Sequence, residues 1–220
     1  MAQDHYVAFR SEESIAHLAY QLRDAHVLRS EPSFNIVDFV EHTLPKQLKK
    51  GSLKIERYDR DFKEDVPAYV SFNPLTLNVD SGIWTGARID EAYPRFVIAH
   101  EVGHIALHDH SAKAFSRDKS AQIRFADNGQ SAEWQANIFA GHFLLPTSVV
   151  ERIDDLVELA FQGQVPVEVA LERLLTVRKE ISRKNRVFAG DFCNKCGNFS
   201  LKRVGLLLKC EICPNVLSAL

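Results

Sequence analysis

Residues 96–110 read FVIAHEVGHIALHDH. Five side chains of metal-ligand or acid–base type fall in this stretch: His100, Glu101, His104, His108 and His110. His100 and His104 are four positions apart. On a helix that spacing sets both imidazoles on one face, about a turn apart, where they can share one ion. Pro94 suits the first turn of such a helix. Glu101 follows the first histidine as in the His-Glu-x-x-His signature, in which the glutamate is not a ligand but exchanges protons with water and with the leaving amine. Gly103 admits a neighbouring element close to the helix, and Phe96, Val97, Val102 and Ile105 offer an apolar side to a core. A histidine-rich helix with no metal would look the same over five residues, so the reading turns on a third ligand.

Two candidates imply different enzymes. His110 lies ten residues after His100, the metzincin spacing. That signature requires a glycine three residues after the second histidine, where this chain has Leu107, and a downstream methionine, whereas the sole methionine is Met1. The second candidate is Glu133, in SAEWQANIFAGHFLLP. Glu133, Ala136, Asn137, Ala140 and Leu144 fall along one stripe of a helix predicted from about 132 to 145 and closed by Pro146. A carboxylate arriving from a second helix completes a set of two histidines and one glutamate and leaves a fourth position for water. Asn137, one turn on, is placed to hydrogen-bond a ligand imidazole and hold its orientation.

The pair AHEVGHIALH (99–108) and AEWQANIFAGHFLLP (132–146) resembles the ImmA/IrrE family of zinc metallopeptidases. That family's pattern is a His-Glu-x-Gly-His helix ending in Leu-His, then Glu-x-x-Ala-Asn-x-Phe-Ala, then Leu-Leu-x-Pro. Ala136-Asn137, Phe139-Ala140 and Leu144-Leu145-Pro146 match it directly. The upstream order of helix, helix, short strands and motif helix is similar too, as is ELAFQGQVPVEVALERL downstream. The resemblance runs from Ser14 to Val177. It implies an α+β, gluzincin-like fold, mainly helical, with a small mixed β-sheet beside the motif helix. It implies His100, His104 and Glu133 as ligands of a catalytic Zn2+ and Glu101 as general base. It also implies a regulatory protein as substrate, typically a helix-turn-helix repressor, in stress responses, mobile elements or toxin–antitoxin pairs. A donor beside the zinc would help polarise the scissile carbonyl, with His108, His142 and Tyr69 as candidates. Position 142 departs from the family, which more often has Glu there. No N-terminal helix-turn-helix domain is recognisable, so the repressor is expected on a separate chain.

Outward from the motif, Ile15, Leu18, Ala19 and Leu22 have helical spacing, and a second helix is expected from about 34 to 48, with Pro45 a candidate break. SLKIERY, AYVSF and LTLNV have β character, with Asn73-Pro74 and Asp80-Ser81-Gly82 read as turns. Three or four strands are expected, with Leu75–Val79 a candidate to bind substrate as an added strand. Further helices are expected near 153–161 and 166–184.

All four cysteines lie near the C-terminus, in FCNKCGNFSLKRVGLLLKCEICPN. Cys193 and Cys196 form one Cys-x-x-Cys pair, and Cys210 and Cys213 the other. Two such knuckles joined by a hairpin-length insert are the pattern of a four-sulfur structural zinc site, a zinc ribbon. The insert can supply two strands around Val204-Gly205, and Gly197 and Asn215 stand where turns are useful. So short a unit cannot stabilise itself by apolar burial alone. The expected domains are 1–188, metallopeptidase-like, and 189–220, ribbon, with a boundary at Ala189-Gly190-Asp191.

Charge is uneven. The net value is −2, but residues 178–220 carry +6 and the rest −8. The basic C-terminal region is therefore a candidate contact for nucleic acid or an acidic partner. The polar N-terminus lacks the apolar core of a signal peptide, and no apolar run approaches the about 18 residues of a membrane span, so a cytoplasmic protein is expected with no membrane partner. Two function classes follow: a zinc endopeptidase, and a non-catalytic metal-binding regulator that contacts a partner or nucleic acid through its ribbon.

Overall fold

The structure is a computed structural model that describes residues 6–48, 52–59, 66–108, 128–184, 192–204 and 207–218. His110, the Ala189-Gly190-Asp191 boundary and Gly205 lie outside the described residues. The chain divides into two compact units, Met1–Leu174 and Leu175–Leu220.

The first unit opens with α1, Glu12–Asp24, whose Ser11 side chain caps Ser14 N–H. Ile15 and Ala19 face the core with no exposure. α2 is composite: Ile36–Asp38 is α-helical, Phe39–Thr43 is a π turn, and Leu44–Gln47 is α-helical again. The expected break at Pro45 does not occur. Proline removes one N–H and crowds the carbonyl four residues back. The π turn just ahead widens the helix locally and lets it continue through Pro45.

β1 (Lys54–Tyr58), β2 (Ala68–Phe72) and β3 (Leu75–Asp80) form one mixed sheet in the order β1-β3-β2. β3 runs parallel to β1, with Lys54 opposite Thr76, and antiparallel to β2, with Val70 opposite Leu77. Leu75–Val79 is therefore the central strand. Both its edges are already paired, so it cannot accept an added strand; the edge strands are β1 and β2.

Asp80-Ser81-Gly82 is not a turn between strands but the start of a helix, α3 (Ser81–Arg88). The Asp80 carboxylate accepts from Gly82 N–H at 3.0 Å and Ile83 N–H at 3.1 Å. The residues that favour a turn also favour a helix N-cap. The motif helix is α4, Ala92–Leu107, and the Glu133 helix is α5, Ala132–Leu144, capped by Ser131. α6 (Thr147–Val150), α7 (Leu156–Gly163) and α8 (Val167–Lys184) follow. The division between the two units falls within α8.

α5 is enclosed by apolar neighbours. Phe139, Ala140, Phe143 and Leu144 have no exposure. Phe143 packs edge-to-face on Phe34 (5.3 Å) and Phe39 (4.9 Å) and is stacked with Phe139 (5.4 Å). Its C-terminal carbonyls are covered by buried cations: Arg23 Nη1 donates to Phe143 O at 2.7 Å, and Arg173 Nε to Leu145 O at 3.1 Å. Burial lowers Arg23 to about 10, which leaves it charged at neutral pH.

α4 packs closely on α5. A Cβ built on Gly103 would lie 3.1 Å from both Cα and O of Ala136, and 3.2 Å from Phe139. Two small residues thus set the helix spacing.

The second unit holds three strands, β4 (Leu201–Val204), β5 (Leu207–Cys210) and β6 (Val216–Ser218), antiparallel in that order. Leu201, Leu208 and Cys193 form its small interior. β6 was not expected from the sequence, because three residues carry too short a pattern to read. Among the described residues no helix is long and apolar enough to cross a membrane.

Gly103→Val places a branched side chain against backbone of the facing helix. Loss of about 1–3 kcal/mol in urea unfolding is expected, with weaker metal binding because Glu133 is pushed away. An unchanged midpoint would show that the helices can separate freely here.

Candidate metal centre

α4 holds His100 and His104 one turn apart, with ring centroids 4.7 Å apart and the two Nε2 atoms 3.0 Å apart. Glu133, in the first turn of α5, meets both. Its carboxylate lies 3.2 Å from His100 Nε2 and 3.4 Å from His104 Nε2, with one oxygen toward each ring. The three side chains keep 15%, 16% and 29% exposure, so the cluster is open to water on one side.

Glu101 is more enclosed, at 7% exposure. Its carboxylate lies within 4.8 Å of the donor atoms of both histidines and accepts a hydrogen bond from Val70 N–H on β2. Burial raises its pKa against the opposing pull of the two histidines. Glu133 behaves oppositely: hydrogen bonds from His100 and His104 hold it far below the usual carboxylate range. Burial would depress His100, but Glu133 outweighs it, with Glu101 and Asn137 adding, and the net shift is upward.

The remaining ring nitrogens are also engaged. His100 Nδ1 lies 2.8 Å from Asn137 Oδ1. An amide oxygen only accepts, so His100 carries a proton on Nδ1, and Nε2, which faces Glu133, is the nitrogen left for a metal. His104 Nδ1 lies 3.0 Å from His108 Nδ1, and His108 Nε2 lies 3.2 Å from Gln135 Oε1. Burial, reinforced by His104, pushes His108 down to about 4. His108 is therefore a neutral partner of His104 and has both nitrogens occupied.

The other candidates stand elsewhere. His142 lies nine residues beyond Glu133, half a turn round α5. It is 5% exposed, with Nδ1 at 2.9 Å from Tyr20 Oη and Nε2 at 3.2 Å from both Glu12 and Arg173. The structure places it in a polar cluster with α1 and α8, away from His100 and His104. Tyr69 lies on β2 beside Val70, half exposed, with its ring 6.1 Å from that of Tyr58. Gln135 was not anticipated. It falls off the Glu133 stripe, about 200° round the helix, where a sequence reading places core. It is a fully buried polar side chain facing His108.

The donor set fits a divalent metal. Two imidazole Nε2 atoms and a carboxylate converge, and a cation would take the place of the protons they share. Two histidines and one carboxylate with open access suit zinc with water at the remaining position.

In the second unit the four cysteines are free, and their sulfurs all lie within 4.8 Å of one another. Cys193 and Cys213 are 3.7 Å apart, and Cys196 and Cys210 are 3.6 Å apart. A tetrahedron of Zn–S bonds of about 2.3 Å has edges of about 3.8 Å, so these four sulfurs already approach that figure. Gly197 adopts φ +74° after the first knuckle, and Asn215 Nδ2 donates to Cys193 Sγ at 3.3 Å. The group fits a structural metal such as zinc.

Residues 58–175 match the family model of the IrrE N-terminal-like domain, Peptidase_M78. The chain belongs to this peptidase family. The match takes in α4, α5 and the clustered residues on them. A search of curated proteins finds no match to the chain.

Because His100 must be neutral to ligate, and its pKa is raised in the metal-free protein, protons compete with the metal. Zinc affinity at this site is expected to fall about tenfold per pH unit below the His100 pKa. Chelator competition between pH 5.5 and 8 checks this. His104→Ala is expected to abolish that site and leave the cysteine site loaded, and Cys196→Ser to do the converse, read as zinc per chain.

Proposed function

We propose that the protein is a zinc-dependent endopeptidase of narrow specificity, with His100, His104 and Glu133 holding the metal and Glu101 acting as general base. The observation that carries this reading is the division of labour between two carboxylates. Glu133 touches both imidazoles and is held ionised, as a ligand must be. Glu101 stands beside them, buried and raised, as a base poised nearer neutrality should be. Zinc bound here would acidify water and polarise a peptide carbonyl.

The chain's own residues supply the rest. Glu101 accepts a proton from the attacking water and returns it to the leaving amine. Asn137 holds the His100 ring. β2 borders Glu101 through Val70, and its outer edge is the surface on which an extended substrate segment would add as a strand, bringing its carbonyls past Glu101. Of the oxyanion candidates, Tyr69 is the one carried on that strand. The substrate we propose is a regulatory protein on a separate chain, a helix-turn-helix repressor; family resemblance supports this. The four-cysteine unit would hold a second, structural zinc, and its role as a partner-binding or nucleic-acid-binding appendage follows from its place in the basic C-terminal region.

Glu101→Gln separates catalysis from binding. Loss of about 10²–10⁴-fold in cleavage is expected, with zinc content unchanged. The assay is a proteome-derived peptide library, with new termini identified by mass spectrometry. If wild type and Glu101→Gln generate the same termini at the same rate, the peptidase reading fails and the metal-binding regulator takes its place.

A further inference from the structure

We propose that Gln135 and His108 are positioning residues which fix the tautomer of His104, so that its Nε2 is the bare nitrogen. This rests on the reading above that His104 Nε2 faces the metal.

The argument is proton bookkeeping along a chain of contacts. Gln135 Nε2 lies 2.8 Å from Ala8 O and 2.7 Å from Gly129 O. Both are carbonyl oxygens, which only accept, so both amide protons point at them. A flipped amide would set its oxygen against two others. Its Oε1 must therefore face His108 Nε2, at 3.2 Å. That oxygen cannot donate, so His108 Nε2 carries the proton. Gln135 is neutral and offers no charge to hold an imidazolium beside it, so His108 Nδ1 is bare. Its partner at 3.0 Å is His104 Nδ1, and the proton between them belongs to His104. In the neutral, ligating form of His104 the lone pair is then at Nε2, on the side of His100 and Glu133.

The chain has a firm base. Ala8 belongs to an N-terminal segment tied down by Val7 N–H to Gln130 O at 2.9 Å and Arg10 N–H to Gly129 O at 3.0 Å. Gln135 itself has no exposure. A buried amide with all its hydrogen-bonding capacity directed is an orienting device rather than filler. His100 receives the equivalent service from Asn137 in a single step. His104 receives it through two residues, His108 and then Gln135.

The test uses the full chain, zinc-loaded, with ¹⁵N-labelled histidine. Two-bond ¹H–¹⁵N correlations report which nitrogen of each ring is protonated, bare or metal-bound. The expected pattern is His104 protonated at Nδ1 and metal-bound at Nε2, and His108 protonated at Nε2 and bare at Nδ1. A His108 protonated at Nδ1, or a His104 ligating through Nδ1, overturns the proposal. If neither His100 nor His104 shows a metal-bound nitrogen, the metal-site reading itself fails, which is a different result. Two variants add a chemical criterion. His108→Gln can accept from His104 through its oxygen and donate to Gln135 through its nitrogen, so zinc affinity should stay within about threefold of wild type. His108→Leu can do neither and should lose about 10–100-fold. Affinity is read by chelator competition on the His100 and His104 signals, with the cysteine-bound zinc as internal control. Equal affinity in His108→Leu and wild type overturns the proposal, as does equal loss in both variants.

Discussion

The metal centre depends on how closely two helices can approach. Histidines at 100 and 104 are set by the geometry of one helix, and they would face the same way on any helix. Glu133 is different, because it reaches them only if α5 lies against α4. Gly103 and Ala136 make that spacing possible, since a Cβ on the glycine would already press on the backbone of Ala136. The aromatic cluster behind α5 then fixes the helix from its other side. Phe34, Phe39 and Phe139 surround Phe143, and Arg23 binds the carbonyls at the helix end. Ligand geometry is thus set by core packing well away from the ligands.

The second consequence of that packing is electrostatic. Imidazole nitrogens and a carboxylate do not gather spontaneously, because each would prefer water. Burial of the backs of α4 and α5 holds them together in spite of this. The same enclosure separates the two glutamates. Glu133 is drawn down by two histidines, and Glu101, deeper, is pushed up by burial in spite of the histidines and the Val70 N–H. Two identical side chains thereby acquire opposite tendencies from position alone.

Much of this was legible in the sequence because it is periodic. The His-x-x-x-His spacing and the stripe through Glu133, Ala136 and Asn137 both follow helical geometry, and the three short strands carried alternation. The four cysteines were legible for another reason, since knuckle spacing is a local pattern. What escaped the sequence was decided by partners distant along the chain. Asp80 reads equally as a turn or an N-cap, and only the helix after it settles which. Leu75–Val79 reads as a good strand, but strand order, which no local pattern contains, makes it central and leaves β1 and β2 as the edges. His142 looked like a site residue by proximity in sequence to the motif, yet it lies half a turn from Glu133 and joins Tyr20, Glu12 and Arg173 instead. Gln135 was invisible because its partners, Ala8 and Gly129, include a residue 127 positions away.

The match to the peptidase family begins at residue 58, yet α1 and α2 lie before it. These two helices and the segment between them supply Arg23, Phe39 and Phe34, which cover the far side of α5. The segment that homology delimits therefore begins well inside the compact unit Met1–Leu174. A chain that began at the homology boundary would keep His100, His104 and Glu133 and lose the wall that holds them in register. Phe139, Phe143 and Leu144 would then become a sticky surface, where the intact protein has its driest interior.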